Sequence, residues 1–244
     1  MKRTMLSKYI VFKKTTEYYD GLLIRTDPGL HEQIANFVCK NFAKGSNILD
    51  MGCGQGALSA RLHDIGYKVT AADVNVSDFK SNRDIDFCCV NFNDEKQLNE
   101  FIDNKSETYD VVLGIEVIEH IENPWAYLRA LKEMTKKGGM VIVSTPNITS
   151  WLSRLSFLGV GEFMEFKKYT LVYGHINPIS AYELNVIMTK IGFSDIEIHP
   201  GGRLPPLYFT SIKTAIFSLI ALVLRPFQRG ILDGWCIYAA ARRK

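Results

Sequence analysis

The sequence has little that would tie a fold together covalently. Its five cysteines (Cys39, Cys53, Cys88, Cys89, Cys236) are odd in number and form no C-x-x-C pair, which argues against a disulfide framework and a structural zinc site. A reducing, cytoplasmic setting is the expectation. Charge of one sign is also scarce: 29 basic residues against 26 acidic leave a net charge of +3. A nucleic-acid binder would carry a clustered basic excess. The small basic groups near the ends (Lys2, Arg3, Lys8, Lys13, Lys14; Arg242, Arg243, Lys244) read as solvated tails. Long apolar runs are missing too. Tyr9–Phe12 is too short for a signal-peptide core, and Thr214–Leu224 falls short of the ~20 residues a spanning helix needs. Repeats and low-complexity tracts are lacking, and no His, Asp and Glu cluster has metal-ligand spacing, so no metal is expected.

What is present is alternation. Hydrophobic residues make up 47% of the 244 residues, enough for one α/β domain with a sizeable core but short for two. Asp27 can cap a helix with Pro28 at its first position, its apolar stripe being Leu30, Ile34, Phe37 and Val38. Strands are predicted at Asn47–Met51, Lys68–Ala72, Asp86–Val90, Tyr109–Gly114 and Met140–Ser144, with two more near Asp195–His199 and Leu232–Ala240. A helix bearing Leu58, Leu62 and Ile65 stops at Gly66. Another opens at Asn123 and Pro124, turns Tyr127, Leu128, Leu131 and Met134 inward, and is closed by Gly138 and Gly139. A third starts from a capping box, Ser180 with Glu183, and buries Leu184, Ile187, Met188 and Ile191 before Gly192. Strands separated by helix-length segments imply a mainly parallel sheet with helices on both faces. Ligands of such sheets bind at the carboxyl ends of the strands, which points to the loops after Met51, Ala72, Val90 and Gly114.

The first of those loops reads ILDMGCGQGALSA, from Ile48 to Ala60. Gly52, Gly54 and Ala57 satisfy the loose G-x-G-x-x-G/A dinucleotide pattern, and Asp73 follows ~20 residues on. Taken alone, the pattern permits a nicotinamide or flavin oxidoreductase. Asp50 weighs against a diphosphate, because its carboxylate would sit beside the phosphate charge in a low-dielectric cleft. A ligand with an ammonium and a sulfonium gains from the same charge, and its own carboxylate can use the helix N-terminus beyond Gly56. S-adenosylmethionine has that distribution, and Asp73 suits its ribose hydroxyls.

ILDMGCGQG (Ile48–Gly56) resembles the first motif of class I S-adenosylmethionine-dependent methyltransferases. The resemblance continues in order through VTAADVN (Val69–Asn75), the block Tyr109–Asn147 that contains GIEVIEHIENP, and GHINPISAYELNVIMTKIGF (Gly174–Phe193). It is nearest to the branch with ubiquinone-biosynthesis O-methyltransferases and bacterial small-molecule and glycan methyltransferases, over about 28–199. It implies a Rossmann-like α/β fold, a seven-stranded, mostly parallel sheet with the last strand antiparallel. It also implies that Asp50, Gly52, Cys53, Gly54, Gln55 and Gly56 surround the methionine part of the cofactor. By the same resemblance Asp73 takes the ribose, Val74 packs on the adenine, and Asn91 and Phe92 meet its edge and face. Ile115 and Glu116 border the sulfonium. The family often has Asp where this chain has Asn91; an amide still bonds the adenine amino group.

Methyl transfer to a hydroxyl needs alignment and a base with a pKa near working pH. His120 in EVIEH is the first candidate and His175 the second, both as catalytic residues, whereas His31, His63 and His199 are expected at the surface. No NPPY-type amide-methylating motif is present. Residues 148–179, rich in aromatics, read as a lid or insertion that favours a hydrophobic or ring-containing acceptor. In Ser211–Phe227, one stripe of a helix (Ser211, Thr214, Ser218, Ala221, Arg225) is small or polar and the rest apolar. It would cover the cleft, meet a second subunit in a homodimer, or lie in a membrane surface near a small-molecule or lipid-linked acceptor. A non-catalytic subunit that only binds the cofactor has the same sequence signature.

Overall fold

The computed structural model describes residues 10–11, 16–209 and 211–244. Lys2, Arg3, Lys8, Lys13 and Lys14, with Tyr9 and Phe12 of the short apolar run, lie outside the described residues. The main sheet holds seven strands: β1 (Asn47–Met51), β2 (Lys68–Asp73), β3 (Asp86–Cys89), β4 (Tyr109–Gly114), β5 (Thr135–Pro146), β6 (Phe193–Gly201) and β7 (Cys236–Arg243). Their order across the sheet is β3-β2-β1-β4-β5-β7-β6. Strands β1 to β5 pair in parallel, and β7 runs antiparallel between β5 and β6. The expected fold class is therefore observed.

Alternate residues along the central strands feed two cores, as the two-residue period of a strand requires. Leu49, Val112 and Val143 point to the side covered by α3 (Glu95–Lys105), α4 (Pro124–Met134) and α6 (Ala181–Ile191). Ile48, Val111 and Ile142 point to the side covered by α1 (Leu30–Asn41) and α2 (Ala57–Ile65). A third cluster, built on Trp151, Leu155, Tyr208 and Trp235, joins α5 (Trp151–Val160) to α7 (Ile212–Leu224) beside the sheet.

Several local expectations are corrected. The first helix is capped by Gly29, in the left-handed region at φ 84°, and not by Asp27. A side chain at Gly29 would run into Arg203, and its N–H donates to the Glu17 carboxylate at 2.8 Å. Helix α4 stops at Met134, four residues before the glycine pair, because Thr135 already begins β5. Its hydroxyl donates to the Leu131 carbonyl at 2.7 Å, which closes the helix without a glycine. Gly139 is instead needed where β5 passes β4, since a Cβ there would sit 2.8 Å from the Asp110 carbonyl oxygen. Within residues 148–179, read as a lid or insertion, Ser150 caps α5. Not foreseen were α3, capped by Asp94, a parallel pair of Ile10–Val11 with Leu207–Tyr208, and a hairpin of Glu17–Tyr19 with Leu22–Ile24, which lays Leu22 and Ile24 on α2.

Candidate active site

The carboxyl ends of β1, β2 and β4 open onto a cleft of about 940 Å³. At the end of β1, Asp50 is only 2% exposed. It accepts a hydrogen bond from the Ser59 hydroxyl at 2.6 Å, and burial, with the Asp73 charge adding, pushes its carboxyl up to about 6. Gly52 follows at φ 87°, with its Cβ position 2.2 Å from a Val117 methyl, so no side chain fits there. Gly54 also has positive φ, but nothing lies within 4 Å of its Cβ position, so the loop borders open space over the β1 end. Asp73 is held by that loop, accepting from Gly54 N–H at 2.9 Å and from Asn75 N–H at 3.1 Å.

Of the expected cofactor residues, Asp50, Gly52, Cys53, Gly54, Gln55, Asp73, Val74, Asn91, Phe92, Ile115 and Glu116 line this one cleft. Gly56 does not. It is the left-handed N-cap of α2 and is turned toward Phe79, whose ring would be 2.6 Å from a Cβ. Gln55 has a second task, its side-chain oxygen accepting from Leu23 N–H at 2.9 Å and tying the loop to the hairpin. Asn91 uses its side-chain oxygen on Asn93 N–H at 3.0 Å, and Phe92 packs against Tyr127.

The other half of the cleft is made by the turn after β4. Glu116 has φ 56°, uncommon outside glycine. It is locked by Ser144, whose hydroxyl accepts from Glu116 N–H and donates to its carboxylate at 2.7 Å. Glu119 is 1% exposed, and among the described residues neither of its carboxylate oxygens has a hydrogen-bond partner, His120 Nε2 lying 3.9 Å from Oε1. Burial raises both glutamates above the usual range, Glu119 adding to the effect on Glu116. The Glu119 carbonyl oxygen accepts from Ile176 N–H and Asn177 N–H at 2.9 and 3.0 Å. That contact docks residues 174–177 on the turn and brings His175 to His120, ring centroids 4.8 Å apart. His175 Nδ1 lies 2.8 Å from the Glu165 carbonyl oxygen. A carbonyl only accepts, so Nδ1 carries the proton and Nε2 keeps its lone pair in the neutral ring. Burial, and then the neighbouring His175, lowers His120 below its ordinary value.

Both candidate catalytic histidines thus face the cleft. So does His31, contrary to the expectation of a surface residue: it is 8% exposed on α1 and burial drops it to about 3, leaving it neutral. Asp27, read from the sequence only as a helix cap, lines the cleft too, as do Glu119, Glu165 and Tyr173. Among the described residues, donor atoms of Glu119, His120 and His175 lie within 4.8 Å of one another, as do those of Asp27, Glu116 and Cys236, a convergence in space that their spacing along the sequence does not show. The first of these sets is of a kind that holds a divalent cation. Six carboxyl groups (Asp27, Asp50, Asp73, Glu116, Glu119, Glu165) face the cleft, against one guanidinium, Arg25, that is itself paired with Asp78 at 2.9 Å. A diphosphate has no cationic partner in this wall, whereas a cationic sulfur compound with a free ammonium suits it. The open space beside Gly54 and the acidic wall fit S-adenosylmethionine.

A family model described as a methyltransferase domain matches residues 26–198 of the chain. The chain belongs to the class I S-adenosylmethionine-dependent methyltransferases. It is 34% identical over 184 residues to a ubiquinone biosynthesis O-methyltransferase of Ruegeria sp. strain TM1040, covering 63% of this chain and 70% of that protein. To the enzyme of the same description from Idiomarina loihiensis it is 32% identical over 118 residues, which is 44% of this chain. The chain spans only 46% of that relative's length. Among solved structures, a SAM-dependent methyltransferase from Archaeoglobus fulgidus superposes with a TM-score of 0.59 at 16% identity, covering 87% of this chain and 94% of that one. Phosphoethanolamine N-methyltransferase 2 of Haemonchus contortus, in complex with S-adenosyl-L-methionine, gives 0.56 at 14% identity, with 89% and 53% covered. Membership of this methyltransferase family removes the oxidoreductase alternative.

Proposed function

We propose that the chain moves a methyl group from S-adenosylmethionine to a hydroxyl oxygen of a small or lipid-linked acceptor. The observation that carries this reading is a cleft with two chemically distinct halves, a glycine-loop half with Asp50 and Asp73 and an imidazole half with His120 and His175. The relatives named as O-methyltransferases support oxygen as the nucleophile. When bound, the cofactor supplies an electrophilic methyl on a positively charged sulfur. The chain's own work is positioning and proton handling. Asp73 takes the ribose hydroxyls and Gly52 and Gly54 let the loop approach closely. Asn91 and Phe92 hold the adenine, and Ile115 and Glu116 flank the sulfur. His120 accepts the proton that the acceptor hydroxyl releases as its oxygen bonds to the methyl carbon, and the electron pair of the broken carbon–sulfur bond stays on sulfur. His175, its tautomer fixed by the Glu165 carbonyl, orients the acceptor from beside His120.

Incubating the protein with methyl-labelled S-adenosylmethionine and a prenylated catechol, with and without magnesium, tests this by mass spectrometry. The reading requires equal amounts of labelled methyl ether and S-adenosylhomocysteine. Label appearing on nitrogen or carbon, with hydroxylated acceptors untouched, would overturn the choice of oxygen.

A further inference from the structure

Helix α7 is inside out. In a surface helix the apolar stripe faces the protein and the polar face meets water. Here the buried residues are Ser218 and Ala221. The Ser218 hydroxyl accepts from Tyr208 N–H at 2.8 Å and donates to the Thr214 carbonyl at 2.8 Å, and Arg225, one turn past Ala221, pairs with Asp233. The small and polar stripe thus fastens the helix down, and the large aliphatic residues are left outside. Ile216, Leu219 and Val223 are exposed, Val223 by 72%, and Phe227 just beyond the helix by 84%. Helix α5, packed against α7, exposes Leu158 as well. An apolar face of this kind, held outward by specific polar contacts on the other side, marks an interaction surface.

Charge identifies the occupant. From residue 198 to residue 232 the sequence has four cationic residues, Arg203, Lys213, Arg225 and Arg229, and no Asp or Glu. Lys213 and Arg229 are exposed, at opposite ends of the apolar face. A second copy packed antiparallel on this helix would bring Lys213 toward Arg229 with no carboxylate from this stretch to relieve the repulsion. No helix of the described residues is long and apolar enough to cross a membrane, and α7, at 13 residues, is only ~20 Å long. An apolar face ending in cations at both ends matches a helix lying in the headgroup layer of an anionic bilayer. We propose that α7 docks the protein on anionic membrane surfaces, apolar face down, with Lys213 and Arg229 among the lipid headgroups.

The test needs neither cofactor nor acceptor, so it is read independently of the methyl-transfer reading. The full chain is sedimented with phosphatidylcholine vesicles, with or without phosphatidylglycerol, in low and high salt. Binding that requires phosphatidylglycerol and weakens with salt is expected. Ile216→Glu with Leu219→Glu and Val223→Glu should lower the partition coefficient by roughly a hundredfold. These side chains are outside the core, and an unchanged melting profile verifies folding. Lys213→Glu with Arg229→Glu should lower binding to anionic vesicles by more than about tenfold, leaving the apolar face intact. Wild-type protein that stays in the supernatant with both lipids would overturn the proposal. So would equal binding to both lipids, or a wild-type dimer that the triple substitution converts to monomer.

Discussion

His120→Gln lowers kcat by roughly a hundred- to ten-thousandfold, the usual range for a lost general base, while S-adenosylhomocysteine binds as tightly as before. Glutamine fills similar space and can hydrogen-bond an acceptor, but it cannot take a proton, so the substitution separates proton transfer from positioning. The pH profile is the second readout. His120 must be neutral to act as a base, and burial together with His175 moves its pKa below the ordinary 6.5. The wild-type rate should therefore stay on its plateau through neutral pH and fall only on the acid side of that value. Single-turnover measurements isolate the chemical step. An unchanged kcat in the variant would remove His120 from the mechanism and leave the proton to His175 or to water.

Asp73→Ala weakens S-adenosylhomocysteine binding by roughly a hundred- to ten-thousandfold. An ionised carboxylate has about four acceptor sites; Gly54 N–H and Asn75 N–H occupy two, and two remain for the ribose hydroxyls. Hydrogen bonds to a charged group are worth about 1.5–3 kcal/mol each, so two together give the range stated. Asp73→Asn is the informative companion. It keeps a carbonyl oxygen for Gly54 N–H and so preserves the loop, but it lacks the charge, and it should lose less affinity than alanine does. Calorimetric titration of the three proteins reads this directly, and equal affinities across them would show that Asp73 holds the loop and not the ligand.

What could be read from the residues was whatever local pattern decides. The apolar run Asn47–Met51 entering three glycines, with Asp73 at the end of the next strand, pointed to residues that the structure gathers along one side of the cleft. The parallel order followed from strands alternating with capped helices such as those at Asn123 and Ser180; both side chains cap, Ser180 by accepting from Glu183 N–H without the reciprocal bond of a capping box. Helix α3 escaped because its apolar face is thin, with Leu98 and Phe101 as its buried residues, although Asp94 was a legible cap. The hairpin had a legible signal too, Asp20-Gly21 between Tyr19 and Leu22, and the structure puts both turn residues at positive φ. His31 could have been found: it sits beside Leu30 and one turn from Ile34 and Ala35, on the buried side of α1. The meeting of His120 with His175 could not. It depends on the Glu119 carbonyl accepting two N–H groups from a segment more than fifty residues on, and no local period encodes such a contact. For the same reason, ligand-type spacing was absent along the chain even though Glu119, His120 and His175 converge in space.

The account rests on an acidic cleft that accepts an adenosyl-sulfur compound and refuses a diphosphate. Titrating the wild-type protein in a calorimeter with S-adenosylhomocysteine and, separately, with NAD tests this most directly. Saturable one-to-one binding of S-adenosylhomocysteine, with no heat from NAD, is the predicted result. Saturable binding of NAD with none of S-adenosylhomocysteine would contradict it.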